Sequence, residues 1–174
     1  PSWHVMDFGA GTGLVASAVA PHVAAVAAVD ISESMLAALA AKPELQGRVE
    51  PICQDIVAKP LERRFDLIVS AMAMHHVEDT AALVRRFAEH LVPGGRVALA
   101  DLDTEDGSFH PPGMEGVFHH GFDRGALAAL LSDAGFQDVG FTTAIDRYGI
   151  KRTFPLLTIS IAITLSENMD NPSL

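Results

Sequence analysis

Short apolar runs alternate along the chain with stretches in which apolar residues recur at helical spacing. A continuous apolar run of four to eight residues bounded by turn residues is typical of a buried strand. The runs predict seven strands: WHVMDF (3–8), VAAVAAVD (23–30), RVEPICQD (48–55), FDLIVSAMA (65–73), RVALADL (96–102), 139–145 and 154–165. The fourth run is apolar almost throughout, which favours a strand buried on both faces of a sheet.

Four further stretches predict helices between these strands. The first stretch, 14–23, predicts a helix that ends near Pro21, because proline interrupts a helix. Ser32 is a favourable N-cap for a second helix that runs to position 41. A third helix over 80–91 is closed by a Pro-Gly-Gly sequence, and a fourth follows Asp123 as its N-cap.

The order of these elements predicts an α/β fold. Strands that alternate with helices form βαβ units, and these build a parallel sheet. The last two strands are joined by DRYGIK (146–151), which is too short for a parallel crossover and indicates an antiparallel pair. We therefore predict a single domain over 1–174 with a doubly wound, mostly parallel, seven-stranded sheet, an antiparallel last strand and helices on both faces.

Composition narrows the possible partners. With 174 residues, 49% of them hydrophobic, the chain can bury a full core. A formal net charge of −10 argues against nucleic acid and against an anionic membrane as partners, since both recruit Lys and Arg. The longest apolar run, at 154–165, is too short to span a bilayer. The one cysteine, Cys53, favours a reducing, cytoplasmic location, and we expect it to be buried in the third strand.

The segment VMDFGAGTGLVA (5–16) places Gly9, Gly11 and Gly13 directly after the first strand. Glycines permit a tight turn and close approach of a ligand, and we expect this turn to expose backbone amides. Asp30 ends the second strand, about 20 residues further on, where an acid accepts hydrogen bonds from ribose hydroxyls. Dinucleotide-binding proteins share this pattern, and glycines that serve packing alone are a further interpretation.

Five segments in order distinguish these interpretations: VMDFGAGTG, VAAVDISESML, CQDI, FDLIVSAMAMHHVED and LVPGGRVALAD. In order and spacing they resemble the motifs of class I S-adenosylmethionine-dependent methyltransferases, nearest to the small-molecule group that includes the ubiquinone and menaquinone biosynthesis C-methyltransferases. The resemblance is close over 5–101. It implies S-adenosylmethionine as cofactor, S-adenosylhomocysteine as product and a Rossmann-like sheet that ends in a reversed strand. Family members usually carry covering helices before the first strand, and we expect this chain to lack them.

The resemblance also implies the residues that contact the cofactor. They are Asp7, Gly9, Ala10, Gly11 and Gly13 for the methionine portion, Asp30 for the ribose, Ile31 and Met35 for the adenine faces, Asp55 and Ile56 for the adenine edge, and Ala71 and Met72 near the sulfonium. Carboxylates and backbone groups without Lys or Arg suit a cationic sulfur compound that carries no phosphate. Each residue has an alternative in strand-end packing or capping, above all Asp55, because aspartate often starts a turn after a strand.

Two neighbouring histidines follow the fourth strand, close to the implied position of the methyl group. His76 is the candidate catalytic residue, either shaping the site or accepting a proton from the acceptor. The alternative is that His75 and His76 are structural histidines bonded to the backbone.

A second group of histidines lies in or beside the loop at 103–121, which also carries several carboxylates. A metal site built from His110, His119 and His120 is conceivable, but no pair has the spacing that places two ligands on one helix face. We therefore predict no metal and a solvated loop. Because loops at this edge of the sheet commonly form ligand pockets, His119, His120 and Phe122 are candidates for contact with the acceptor.

The sequence thus predicts an enzyme that transfers a methyl group from S-adenosylmethionine to a small-molecule acceptor. Its main contribution would be to hold the acceptor in line with the sulfonium. One alternative is a binding or regulatory protein that keeps only the cofactor pocket. Another is a nicotinamide-dependent oxidoreductase, although the reversed last strand and the CQDI segment disfavour it.

Overall fold

The computed structural model describes residues 2–144 and 156–161 of the chain. The strands are β1 (His4–Phe8), β2 (Ala25–Asp30), β3 (Val49–Cys53), β4 (Phe65–Ala71), β5 (Leu91–Leu102), β6 (Thr142–Ala144) and β7 (Leu156–Ile161). The helices are α1 (Leu14–Val19), α2 (Glu33–Ala40), α3 (Thr80–Glu89) and α4 (Arg124–Asp133). The predicted N-caps are confirmed, because the side chains of Ser32 and Asp123 accept hydrogen bonds from the first turns of α2 and α4.

Five parallel strands form the sheet in the order β3-β2-β1-β4-β5. Strand β7 then pairs antiparallel with β5, and β6 pairs antiparallel with β7. The α/β, Rossmann-like fold with a mostly parallel sheet is confirmed. Chain order reverses between β1 and β4, whose register pairs Phe8 with Ser70, so their carboxyl ends lie side by side. In doubly wound sheets this is where ligands bind.

Helices cover both faces of the sheet. Successive side chains of a strand point to opposite faces, so the neighbours Val5 and Met6 enter different cores, and both are fully buried. The core of the first face includes Val26, Leu36 and Leu39, and that of the second includes Leu83, Phe87, Val97 and Leu127. Burial of each such side chain contributes roughly 1.5–3 kcal/mol. The two cores hold the strand ends in place.

The predicted end of the third helix is wrong. Helix α3 ends at Glu89, and the buried Leu91 already pairs with Phe65 in β4. The Pro-Gly-Gly sequence lies inside β5, where the register shifts before Arg96 pairs with Leu67. Burial of Leu91 and its pairing with β4 extend β5 through the Pro-Gly-Gly sequence, although proline and glycine are poor strand residues.

The prediction that Cys53 is buried is also wrong. This cysteine ends β3, the outer strand on its side of the sheet, and it is exposed. Its thiol lies 3.6 Å from the carbonyl oxygen of Ile31. Among the described residues, no helix combines the length and the apolar character needed to cross a membrane.

Candidate active site

The turn after β1 meets the segment after β4 where the strand order reverses. Gly9 has φ +66°, and a Cβ at this position would clash with the Cβ of Ala73. Met72 has φ 57°, a left-handed conformation that costs a residue with a side chain roughly 1–2 kcal/mol. Because strained backbone collects at functional sites, this junction is the first candidate for one.

The glycine turn is tied to the neighbouring strand by its own backbone. The N–H groups of Gly9 and Ala10 donate to the carbonyl of Val29 at 2.9 and 3.1 Å. The N–H of Gly13 donates to the carbonyl of Ala10 at 2.8 Å. These three N–H groups are therefore not free to bind a ligand, contrary to expectation for Gly9 and Gly13, and the glycines allow the tight turn and the close approach of neighbouring segments.

Asp30 fixes the same turn from the end of β2. Its Oδ2 accepts a hydrogen bond from the N–H of Gly11 at 2.8 Å, and its Oδ1 accepts one from the N–H of Ser32 at 2.9 Å. The residue is half-buried. Each carboxylate oxygen keeps a lone pair for a further donor, such as a ligand hydroxyl.

Asp7 is an unusual carboxylate beside this turn. It is 1% exposed, and neither carboxylate oxygen has a hydrogen-bond partner in the described part of the chain. Burial raises the pKa of Asp7 to about 7. The backbone N–H of Ala16 lowers this pKa, although it does not meet the geometry of a hydrogen bond, and the negative charge of Asp30 raises it further. Leaving a buried carboxylate unpaired is costly, so Asp7 is suited to a cationic or hydrogen-bond-donating ligand.

Large apolar side chains are exposed around the turn. Leu14 is 81% exposed, Ile31 76% and Met35 48%, and the sulfur of Met35 would lie 3.5 Å from a Cβ on Gly11. Large apolar side chains that are exposed beside a candidate site are suited to contact with a ligand.

The two residues predicted at the adenine edge differ in exposure. The Oδ1 atom of Asp55 accepts hydrogen bonds from the N–H groups of Val57 and Ala58 at 2.8 and 3.2 Å, which makes Asp55 the start of a turn. Asp55 is exposed, whereas Ile56 is fully buried in the core. Ala71 and Met72, at the end of β4, are half-buried.

A buried histidine and aspartate join the ends of β4 and β5. The Nδ1 atom of His75 lies 2.6 Å from Oδ1 of Asp101, and the two side chains are 1% and 0% exposed. The carboxylate also accepts hydrogen bonds from the N–H groups of Met74 and Leu102, at 2.9 and 2.8 Å. Because a carboxylate only accepts, His75 donates from Nδ1 and directs Nε2 away from Asp101.

Two further imidazoles lie against His75. The Nδ1 atom of His76 lies 2.6 Å from the carbonyl oxygen of Gly116, and His76 is exposed. The Nε2 atom of His110 lies 3.1 Å from Nε2 of His75. Burial and the neighbouring imidazoles of His75 and His76 lower the pKa of His110, and Glu105 opposes this shift.

The loop residues predicted to touch the acceptor lie in three different environments. His119 Nε2 lies 2.9 Å from the carbonyl oxygen of Val77, a structural contact. His120 is exposed beside Glu105, with Nδ1 and Oε1 3.4 Å apart. The side chain of Phe122 is buried in the core, and its N–H donates to the carbonyl of Leu102 at the end of β5. Phe122 is therefore a packing residue, and His120 is the most accessible of the three.

Sequence reasoning missed the pairing of His75 with Asp101 and the position of His110 beside it. His75 follows β4 and Asp101 lies near the end of β5, and these two strands are neighbours in the sheet. Their positions at neighbouring strand ends were the signal in the sequence that could have indicated the contact. The sequence grouped His110 with His119 and His120 and predicted no metal there, whereas the structure places His110 against His75 and His76.

A cavity of about 630 Å³ lies at the opposite edge of the sheet. Its lining includes the first residues of β1, β2, β3 and β4, with His4, Arg48, Arg63 and Arg64 among them. Since the glycine turn, the strained Met72 and the histidines all lie at the carboxyl edge, we place the candidate site there and not in this cavity.

Comparison with known proteins identifies the family of this domain. Residues 5–95 match the family model described as a methyltransferase domain. An uncharacterised methyltransferase of Schizosaccharomyces pombe is 29% identical over 151 residues, which are 77% of this chain and 53% of that protein. The ubiquinone biosynthesis O-methyltransferase of Coxiella burnetii is 33% identical over 102 residues, which are 58% of this chain and 44% of that protein. The chain therefore spans about half the length of these curated relatives.

A solved structure shows the same fold. The N-methyltransferase NodS of Bradyrhizobium japonicum superposes with a TM-score of 0.72 at 16% identity, covering 94% of this chain and 86% of that one. The residues matched by the family model, 5–95, contain the glycine turn, the end of β2 and the segment after β4.

Proposed function

Because this chain belongs to the methyltransferase domain family, we propose that it transfers a methyl group from S-adenosylmethionine to a small-molecule acceptor. The observation that carries the proposal is the buried, unpaired carboxylate of Asp7 beside the glycine turn that Asp30 holds. A cationic ligand with ribose hydroxyls supplies what both acids lack: a positive charge for one and hydrogen-bond donors for the other.

The residues present fit this cofactor. Asp7 and the turn at 9–13 would hold its methionine portion, Asp30 its ribose, and the exposed Ile31 and Met35 its adenine. No Lys or Arg forms an ion pair with Asp7, Asp30 or Asp55 in the part of the chain that the structure describes. When bound, S-adenosylmethionine supplies an electrophilic methyl carbon on a sulfonium.

The acceptor side of the site would be formed by the segment after β4. Ala71 and Met72 stand at the strand end. His76 is exposed, and because its Nδ1 is bonded to the carbonyl oxygen of Gly116, Nε2 is the nitrogen left for another partner. We assign His76 the role of proton acceptor for acceptors that must lose a proton, with His120 as an accessible contact. The remaining work of these residues is to orient the acceptor and exclude water.

The same proposal covers the whole domain. The antiparallel pairings of β5 with β7 and of β7 with β6 support a seven-stranded sheet with a reversed last strand in a single domain.

The unpaired Cys53 supports a reducing, cytoplasmic location.

Calorimetric titration with S-adenosylhomocysteine tests the proposal. We expect the wild-type chain to bind with micromolar affinity and Asp30→Ala to bind at least tenfold more weakly, because the variant frees the turn and removes the ribose acceptor. The matched control is Glu62→Gln, which removes one exposed carboxylate outside the site. Circular dichroism of both variants establishes that they are folded.

Three outcomes would contradict the proposal. Equal affinity in wild type and Asp30→Ala would remove the assigned ribose contact. Binding of NAD without binding of S-adenosylhomocysteine would favour an oxidoreductase. Cofactor binding without methyl transfer to any member of a metabolite panel would favour a binding protein.

A further inference from the structure

Three imidazoles converge at the carboxyl ends of β4 and β5. One potential ligand atom from each of His75, His76 and His110 lies within 4.8 Å of the others. The Nε2 atoms of His75 and His110 are 3.1 Å apart. Two nitrogens bound to tetrahedral zinc at about 2.0–2.1 Å are separated by about 3.3 Å, so the observed spacing is already near that of a metal centre.

Hydrogen bonds behind the imidazoles orient them for a metal. His75 donates from Nδ1 to the buried Asp101, and His76 donates from Nδ1 to the carbonyl of Gly116, both at 2.6 Å. Each bond leaves the lone pair of Nε2 facing away from its partner when the imidazole is neutral. A carboxylate or carbonyl behind a histidine is the arrangement that fixes metal ligands in proteins.

The charges around the cluster also favour a cation. Asp101 is fully buried behind His75, and Glu105 is close enough to act on His110 electrostatically. A metal ion binds imidazole in its neutral form, which adds no positive charge of its own. Nitrogen ligands of this kind suit zinc, copper, iron and nickel better than magnesium or calcium.

We propose that His75, His76 and His110 form a binding site for a divalent transition-metal ion, with zinc as the reference ion. Three protein ligands leave a fourth coordination position for water or for an oxygen of a bound molecule, as in catalytic zinc sites. Metal binding is measured without cofactor, so this test is separate from the test of methyl transfer. A metal-bound His76 has no lone pair at Nε2, so metal binding and proton acceptance by His76 exclude one another.

The test is calorimetric titration of the tag-free chain with zinc chloride at neutral pH, with cobalt absorbance as a second readout of coordination geometry. We expect one ion per chain. Asp101→Asn should weaken binding about 10- to 100-fold, the range for losing a group that orients a ligand, and His76→Gln and His110→Gln should weaken it at least as much. The matched control is His22→Gln, which removes an exposed histidine outside the cluster.

His76 is exposed and His110 is half-buried, so His76→Gln and His110→Gln should fold and test the site even if Asp101→Asn does not fold. Absence of one-to-one binding in the wild type would overturn the proposal. So would unchanged affinity in both His76→Gln and His110→Gln, or an equal loss in His22→Gln. Titration of the same proteins with S-adenosylhomocysteine separates this result from the fate of the proposed function.

Discussion

At the scale of single residues, Asp7 shows how burial creates a functional group. In water this side chain would be an ordinary carboxylate, but it is 1% exposed, and burial raises its pKa to about 7. The folded state therefore keeps a proton on Asp7 at pH values where the unfolded chain has lost it. A positively charged ligand group would reverse this preference by favouring the ionised form.

The raised pKa predicts that Asp7 destabilises the fold as the pH rises. The folded state binds more protons than the unfolded state between about pH 4 and pH 7, so the free energy of unfolding falls across this window. A difference of about three pH units corresponds to a loss of about 4 kcal/mol above pH 7. We expect Asp7→Asn to be more stable than wild type at about pH 8, with a difference that shrinks toward pH 4.

Urea unfolding across this pH range measures the effect. The control is Asp133→Asn, which removes an exposed carboxylate far from the glycine turn in sequence. Parallel stability curves for wild type and Asp7→Asn would show that Asp7 does not take up a proton on folding.

At the scale of elements, the glycine turn owes its shape to its neighbours. Gly9 and Gly47 both have positive φ, at +66° and +74°, and both are followed within a few residues by a helix or strand. A Cβ on Gly9 would clash with Ala73, whereas a Cβ on Gly47 would meet nothing within 4 Å. Substitution of Gly47 therefore tests backbone strain alone, whereas substitution of Gly9 tests backbone strain together with the clash with Ala73.

We expect Gly47→Ala to lose roughly 1–2 kcal/mol of stability, the cost of a left-handed conformation for a residue with a side chain. Gly9→Ala should lose clearly more, because the segment after β4 must also move away. Chemical denaturation of the two variants beside wild type gives the comparison. Similar losses would mean that the contact with Ala73 does not constrain the turn.

At the scale of the whole molecule, charge sets the class of partner. The net charge of −10 opposes association with the phosphate backbone of nucleic acids, which requires clustered Lys and Arg. We expect no change in fluorescence anisotropy when labelled duplex DNA or single-stranded RNA is titrated with this protein at low salt. Binding that weakens steeply as salt is added would contradict the assignment to small-molecule acceptors.

The sequence by itself determined the order of strands and helices, the caps at Ser32 and Asp123, and the family, because each depends on neighbours in the chain. It also predicted the edge of the sheet at which the glycine turn and the histidines lie. It failed at the end of α3, where the buried Leu91 joins β5 through its pairing with β4.

Only the tertiary structure decided which distant side chains meet. The pairing of His75 with Asp101 and the approach of His110 join positions 26 and 35 residues apart. The same is true of Phe122, which the sequence predicted to contact the acceptor and which packing places in the core. Local pattern records a residue's own preference for helix, strand or turn, whereas burial and contact depend on how separate segments pack together.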